Sequence, residues 1–164
     1  GPAGGQFAAP DRSAVRLMSA DQGPNGGAPP ATTERLRFQE FTFQRLPNGR
    51  CRAKVQLGRS GATLFSGQAD GVTSPAGELR CSAEAAVNAL DDAVQAEIEF
   101  ELLGVKAVRA FDATVVIVSL SAREESKATR LVGTYLTETD PPRGAALAVL
   151  NATNRILGNH FSTR

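Results

Sequence analysis

From residue 34 onward the apolar positions follow two rules in turn: every second residue in some stretches, every third or fourth in two others. Near 35–45, Leu36 and Phe38 share one parity while Phe41 and Phe43 share the other. That predicts a first strand with a bulge or bend at Gln39-Glu40. Pro47-Asn48-Gly49 marks a turn. Cys51, Ala53, Val55 and Leu57 then alternate with Arg50, Arg52, Lys54 and Gln56, predicting a half-buried strand over 50–58. Gly58 to Gly61 reads as a hairpin loop, and Leu64 and Phe65 anchor a third strand over 62–70. Pro75 opens a helix with Ser74 as its cap. Its apolar stripe is Leu79, Ala83, Ala86, Val87, Leu90 and Val94, with Glu78 and Glu84 on the polar side.

The order then repeats. Strands are expected near 97–109, 111–121 and 128–137, with 122–127 a charged turn. The run Ala113 to Leu120 is continuously apolar, as a central strand covered on both faces would be. Asp140, followed by Pro141 and Pro142, reads as the start of a second helix. Ala146, Val149, Leu150, Thr153 and Leu157 form its stripe, and Gly158-Asn159 its end.

The two helices align at an offset of 63 residues, with five identities among the 16 positions from Leu79 to Val94. Arg80 matches Arg143, Ala83 matches Ala146, Ala85 matches Ala148, Asn88 matches Asn151 and Ala89 matches Ala152. Upstream, Phe65-Ser66-Gly67 answers Leu131-Val132-Gly133. The expected fold class is therefore α+β: two tandem βββα units related by pseudo-two-fold symmetry, their helices packed on antiparallel or mixed sheet. The units span about 34–95 and 96–158, followed by a short tail over 159–164. Residues 1–33, rich in Gly, Pro, Ala and Ser, read as a disordered tail. The single methionine, Met18, is a candidate natural start, which would leave residues 1–17 outside the native chain.

Composition narrows the classes. Apolar residues make up 41% of 164, enough for a core, with Trp absent and Tyr135 the lone tyrosine. A formal charge of +1 gives no global field for nucleic acid or membrane. Cys51 and Cys81 both fall in apolar-periodic segments, so two buried unpaired thiols and a reducing, cytoplasmic setting are expected. No stretch has the length and apolarity of a membrane span.

Candidate chemistry is sparse. The one histidine, His160, follows the second helix, where a fraying terminus would not hold catalytic geometry. Asp91-Asp92 and Glu124-Glu125 are neighbours that point apart rather than carboxylate dyads. No phosphate-cradling, dinucleotide, nucleophile-elbow or zinc motif occurs. The reading is that the chain is not an enzyme and carries no metal or cofactor. The helix starts at Ser74–Gly77 and Asp140–Gly144 offer free N–H groups, although Asp140 would fill its own anion position. The strongest local charge lies over 34–59, where seven basic residues face two acidic ones. Arg35, Arg37, Arg50, Arg52 and Lys54 are the candidate face for an acidic protein or, less favoured, nucleic acid.

Two strand-glycine-loop-helix stretches carry a family likeness. One is Gly67-Gln68-Ala69-Asp70-Gly71 followed by Pro75-Ala76 and the Ala/Leu helix to Leu90. The other is Val132-Gly133-Thr134, then Ala145 to Arg155, with Asn154-Arg155 near its end. Over residues 36–157 the arrangement resembles the regulatory (allosteric, dimerisation) domain of 2-isopropylmalate synthase. The likeness does not extend to that enzyme's catalytic barrel, and the second glycine of the family's Gly-x-Gly is Tyr135 here. It implies a homodimer and a small ligand, an amino acid or carboxylate, near the pseudo-symmetry axis. The ligand positions so implied are Gly67, Gly71, Pro75, Gly133 and Gly144. A non-catalytic regulatory or assembly module is thus the leading expectation, and an adaptor using the basic face the alternative.

Overall fold

The computed structural model describes residues 36–59, 62–95 and 97–161, with side chains as far as Leu157. Expectations for residues 1–33 and for Arg35 lie outside the described residues. The strands are β1 (Arg37–Leu46), β2 (Arg50–Gly58), β3 (Leu64–Val72), β4 (Glu99–Ala110), β5 (Ala113–Glu124) and β6 (Lys127–Thr137). The helices are α1 (Pro75–Val94) and α2 (Pro141–Phe161). Two antiparallel three-stranded sheets result, ordered β1-β2-β3 and β4-β5-β6, each followed by its helix. The fold is α+β, built of two βββα units.

Local chemistry sets these elements. Arg50 to Leu57 alternate as their sequence does, with Cys51, Ala53, Val55 and Leu57 buried. Asn48 and Gly49 take left-handed backbone in the β1–β2 turn. The Ser74 hydroxyl accepts from the Gly77 amide (3.0 Å) and the Asp140 carboxylate from the Arg143 amide (3.2 Å), so both helices begin on a side-chain cap. Two expectations are corrected. Leu64 is 55% exposed, because neighbours on a strand face opposite ways and Phe65 takes the inward position. α2 runs past Gly158-Asn159 to Phe161, since one glycine weakens a helix without ending it. The two sheets are separate and wholly antiparallel, the first of the two arrangements expected.

The register of β1 on β2 shifts between Phe38 and Glu40, placing a bulge at Gln39 as its parity switch predicts. β4 carries a second bulge, between Leu102 and Gly104. The two sit at equivalent places, opening the first strand of each unit.

Each helix covers the inner face of its own sheet, and the two helices pack on each other. One contiguous core results, drawing on all six strands and both helices. The halves also reach across to one another at matched positions. Arg80 of α1 donates to the Leu102 carbonyl on β4 (3.5 Å), while Arg143 of α2 lies 5.1 Å from the ring centroid of Phe38 on β1. The aligned arginines thus meet the aligned bulges reciprocally, as a pseudo-two-fold relation requires.

Candidate functional site

The two sheets differ on the faces turned away from the helices. On the first sheet that face carries Thr42 and Gln44 from β1, Arg50, Arg52, Lys54 and Gln56 from β2, and Ser66, Gln68 and Asp70 from β3. Its middle is polar, as expected of a sheet with one covered side, and Leu46, Leu64 and Val72 stand at its ends, the last two 55% and 54% exposed. Arg52 is paired there: its Nε and Nη2 donate to the two Asp70 carboxylate oxygens at 2.7 and 3.0 Å. That bidentate pair holds the Asp70 carboxyl below the usual carboxylate range. Of the basic residues singled out in the sequence, Arg50, Arg52 and Lys54 share this face and Arg37 begins β1.

The outer face of the second sheet is different. Cross-strand register sets Val108, Val115 and Leu136 in one row, Lys106, Ile117 and Thr134 in the next, and Gly104, Ser119 and Val132 in a third. Val108, Val132 and Leu136 are 43%, 61% and 49% exposed, and Val115 and Ile117 are half-buried. This corrects the expectation for the Ala113–Leu120 run. Val116, Val118 and Leu120 are buried under the helices, but the alternate residues lie on a face that no helix or strand among the described residues covers. At the end of the β4–β5 hairpin Phe111 is fully exposed and held at φ 59°, a backbone region that bulky residues rarely adopt. At the opposite end of the face, Glu101, Ser121 and Arg130 share a row.

The glycine and helix-start positions lie where the helices meet their sheets. Gly67 on β3 faces the backbone of Ala85 and Ala89 on α1; Gly133 on β6 faces Ala148 and Ala152 on α2. A Cβ at either position would run into helix backbone. Gly71 faces Cys81, where a Cβ would stand 2.8 Å from the Cys81 Cβ. Gly144 lies among Thr137, Val116 and Tyr135, and Pro75 opens α1. The glycines therefore let each helix settle tightly on its sheet.

The acidic neighbours part company. Asp92 accepts from the Ser66 amide on the free edge of β3 (3.2 Å). Asp91 borders a groove of about 420 Å³ that is also lined by Ile98, Glu99, Phe100, Glu101, Ser121 and Arg123. Burial raises its carboxyl above the ordinary value, the Phe100 amide opposes this, and Glu99 adds to it. Among the described residues, no group of His, Cys, Asp and Glu side chains could hold a metal ion, and no helix is long and apolar enough to cross a membrane. Protein-family models give no match to the chain, and no curated protein is significantly similar to it.

Proposed function

We propose that this protein is a non-catalytic regulatory or assembly module that forms a homodimer through the outer face of its second sheet. One contrast carries the proposal: the first sheet turns out Arg52, Lys54, Gln56 and Gln68 at its centre and apolar Leu46, Leu64 and Val72 only at its ends, while the second turns out Val108, Val115, Ile117, Val132 and Leu136 together. A contiguous exposed apolar patch of this kind marks an interaction surface. A second copy of the chain is the occupant the charges favour. Glu101 on β4 and Arg130 on β6 bound the face with opposite signs. A two-fold pairing that lays β4 of one copy over β6 of the other brings those signs together. Sedimentation velocity of the full chain over a dilution series tests this. A dimer at tens of micromolar that dissociates on dilution supports it; a strict monomer over that range contradicts it.

A small ligand, an amino acid or carboxylate, is the second part of the proposal. It rests on the resemblance to the regulatory domain of 2-isopropylmalate synthase, and a thermal-shift series with amino acids and small carboxylates at millimolar concentration tests it. The proposed setting is cytoplasmic, supported by the two buried thiols. The competing proposal, an adaptor on the Arg50, Arg52 and Lys54 face, is opposed by the Arg52–Asp70 pair, which neutralises the central charge of that face.

A further inference from the structure

Cys51 and Cys81 are 51 residues and 81 residues into the chain, yet their sulfur atoms lie 3.4 Å apart. Cys51 is the second residue of β2 and is fully buried; Cys81 sits in the second turn of α1 and is 2% exposed. A third residue makes the arrangement possible. Gly71 pairs with Cys51 across the strands and faces Cys81, leaving room that any Cβ at that position would take from the Cys81 side chain. Beyond each other, the two sulfurs meet weak carbonyl acceptors, Val72 for Cys51 (3.6 Å) and Glu78 for Cys81 (3.7 Å), and Ser82 adjoins Cys81. No metal-ligating group accompanies them among the described residues.

We propose that Cys51 and Cys81 form a latent dithiol that closes reversibly to a disulfide, pinning the start of β2 to α1. A disulfide has its sulfurs about 2.05 Å apart, so closure needs an approach of about 1.4 Å from the observed 3.4 Å, within reach of a side-chain rotation. The oxidant is a small-molecule disulfide such as oxidised glutathione. One cysteine thiolate attacks it, forming a mixed disulfide and releasing one thiol. The second cysteine thiolate attacks the protein sulfur of that mixed disulfide and expels the other thiol. In sum, two protein thiols and one small disulfide become one protein disulfide and two small thiols, with the cysteine protons carried to the released sulfurs.

In the closed fold both sulfurs are shielded from solvent, their residues 0% and 2% exposed. Burial, reinforced by Cys51 beside it, pushes the Cys81 thiol up to about 12, so almost no thiolate is present near neutral pH. Reaction therefore waits on local opening. The geometry suits that, because both residues lie at one end of the first unit. Cys51 follows the Pro47–Gly49 turn directly, and Cys81 lies within two turns of the start of α1. Fraying of that end exposes both sulfurs without unfolding the rest.

The test incubates the folded full chain with oxidised glutathione, quenches in acid, alkylates the remaining thiols and maps peptides without reduction. The proposal expects a peptide linking Cys51 to Cys81, a mass lower by about 2 Da for the two hydrogens lost, and recovery of both thiols on adding dithiothreitol. The Cys81→Ser variant should instead stop with one glutathione on Cys51. Should that variant fail to fold, Gly71→Ala serves in its place, since crowding at Cys81 should slow linkage. Thiols that stay fully alkylatable in the wild type, or wild-type reaction that ends at glutathione adducts with no Cys51–Cys81 peptide, would overturn it.

Discussion

Arg143 on α2 lies 5.1 Å from the centroid of the Phe38 ring on β1, across the boundary between the two units. Its counterpart Arg80 spans the same boundary the other way, to Leu102. Cation–ring and charge-assisted contacts at such half-exposed sites are each modest. Their reciprocity matters more than their strength, because it shows each half completing the other. Each half also buries part of its surface against the other, α1 packing on β4 and on α2 as well as on its own sheet.

The halves should therefore be interdependent. Chains cut to 34–95 or to 96–164 should each lack cooperative unfolding, while the two mixed together should regain it. Circular dichroism melts of the separate and mixed fragments check this.

Asn88 donates to the Gln68 carbonyl at 2.9 Å, and Asn151 to the Thr134 carbonyl at 2.7 Å. Both acceptors lie on the free edges of their sheets, one residue after Gly67 and Gly133. Asn88→Ala and Asn151→Ala should each lower unfolding free energy by about 1 kcal/mol, the usual worth of one such bond. Urea denaturation measures both, and equal losses are expected from equal roles.

Gly67→Ala and Gly133→Ala should cost more, about 1–3 kcal/mol each, because the added methyl meets helix backbone that cannot rotate aside. Gly104→Ala is the control. A Cβ there meets nothing within 4 Å, so its effect should lie within about 0.5 kcal/mol.

These positions show how the sequence encodes the fold and where it conceals it. Alternation in Cys51–Leu57 placed β2 residue for residue, and the parity switch at Gln39 foretold its bulge. The same switch stands between Leu102 and Val105, yet the adjacent leucines read equally well as plain hydrophobic strand, so the second bulge stayed hidden. Gly67 and Gly133 were conspicuous, but their reason lies in Ala85, Ala89, Ala148 and Ala152 on helices far along the chain. The apolar run in β5 signalled two covered faces. The described elements cover only one, leaving Val115 and Ile117 on the candidate interface. The Cys51–Cys81 approach depends on how a strand and a helix dock, so no local pattern announces it.

Asp91 gives a pH prediction. Its raised carboxyl favours the protonated form in the folded state, so its contribution to stability is present below the ordinary carboxylate range and is lost as pH rises through the elevated value. Asp91→Asn keeps an oxygen to accept the Phe100 amide and carries no charge. It should melt no lower than the wild type at neutral pH, with any advantage shrinking on acidification. Thermal melts across an acid-to-neutral series give the comparison.

The outer face of the second sheet is tested most directly by a single charge. Ile117→Lys places an ammonium at the centre of the apolar rows, while Lys54→Glu alters the polar face of the other sheet as a control. Molar mass by sedimentation equilibrium should be that of a dimer for the wild type and for Lys54→Glu, and of a monomer for Ile117→Lys with its far-ultraviolet circular dichroism unchanged. A folded Ile117→Lys protein that dimerises as tightly as the wild type, or a wild type that never exceeds monomer mass, would contradict the assignment.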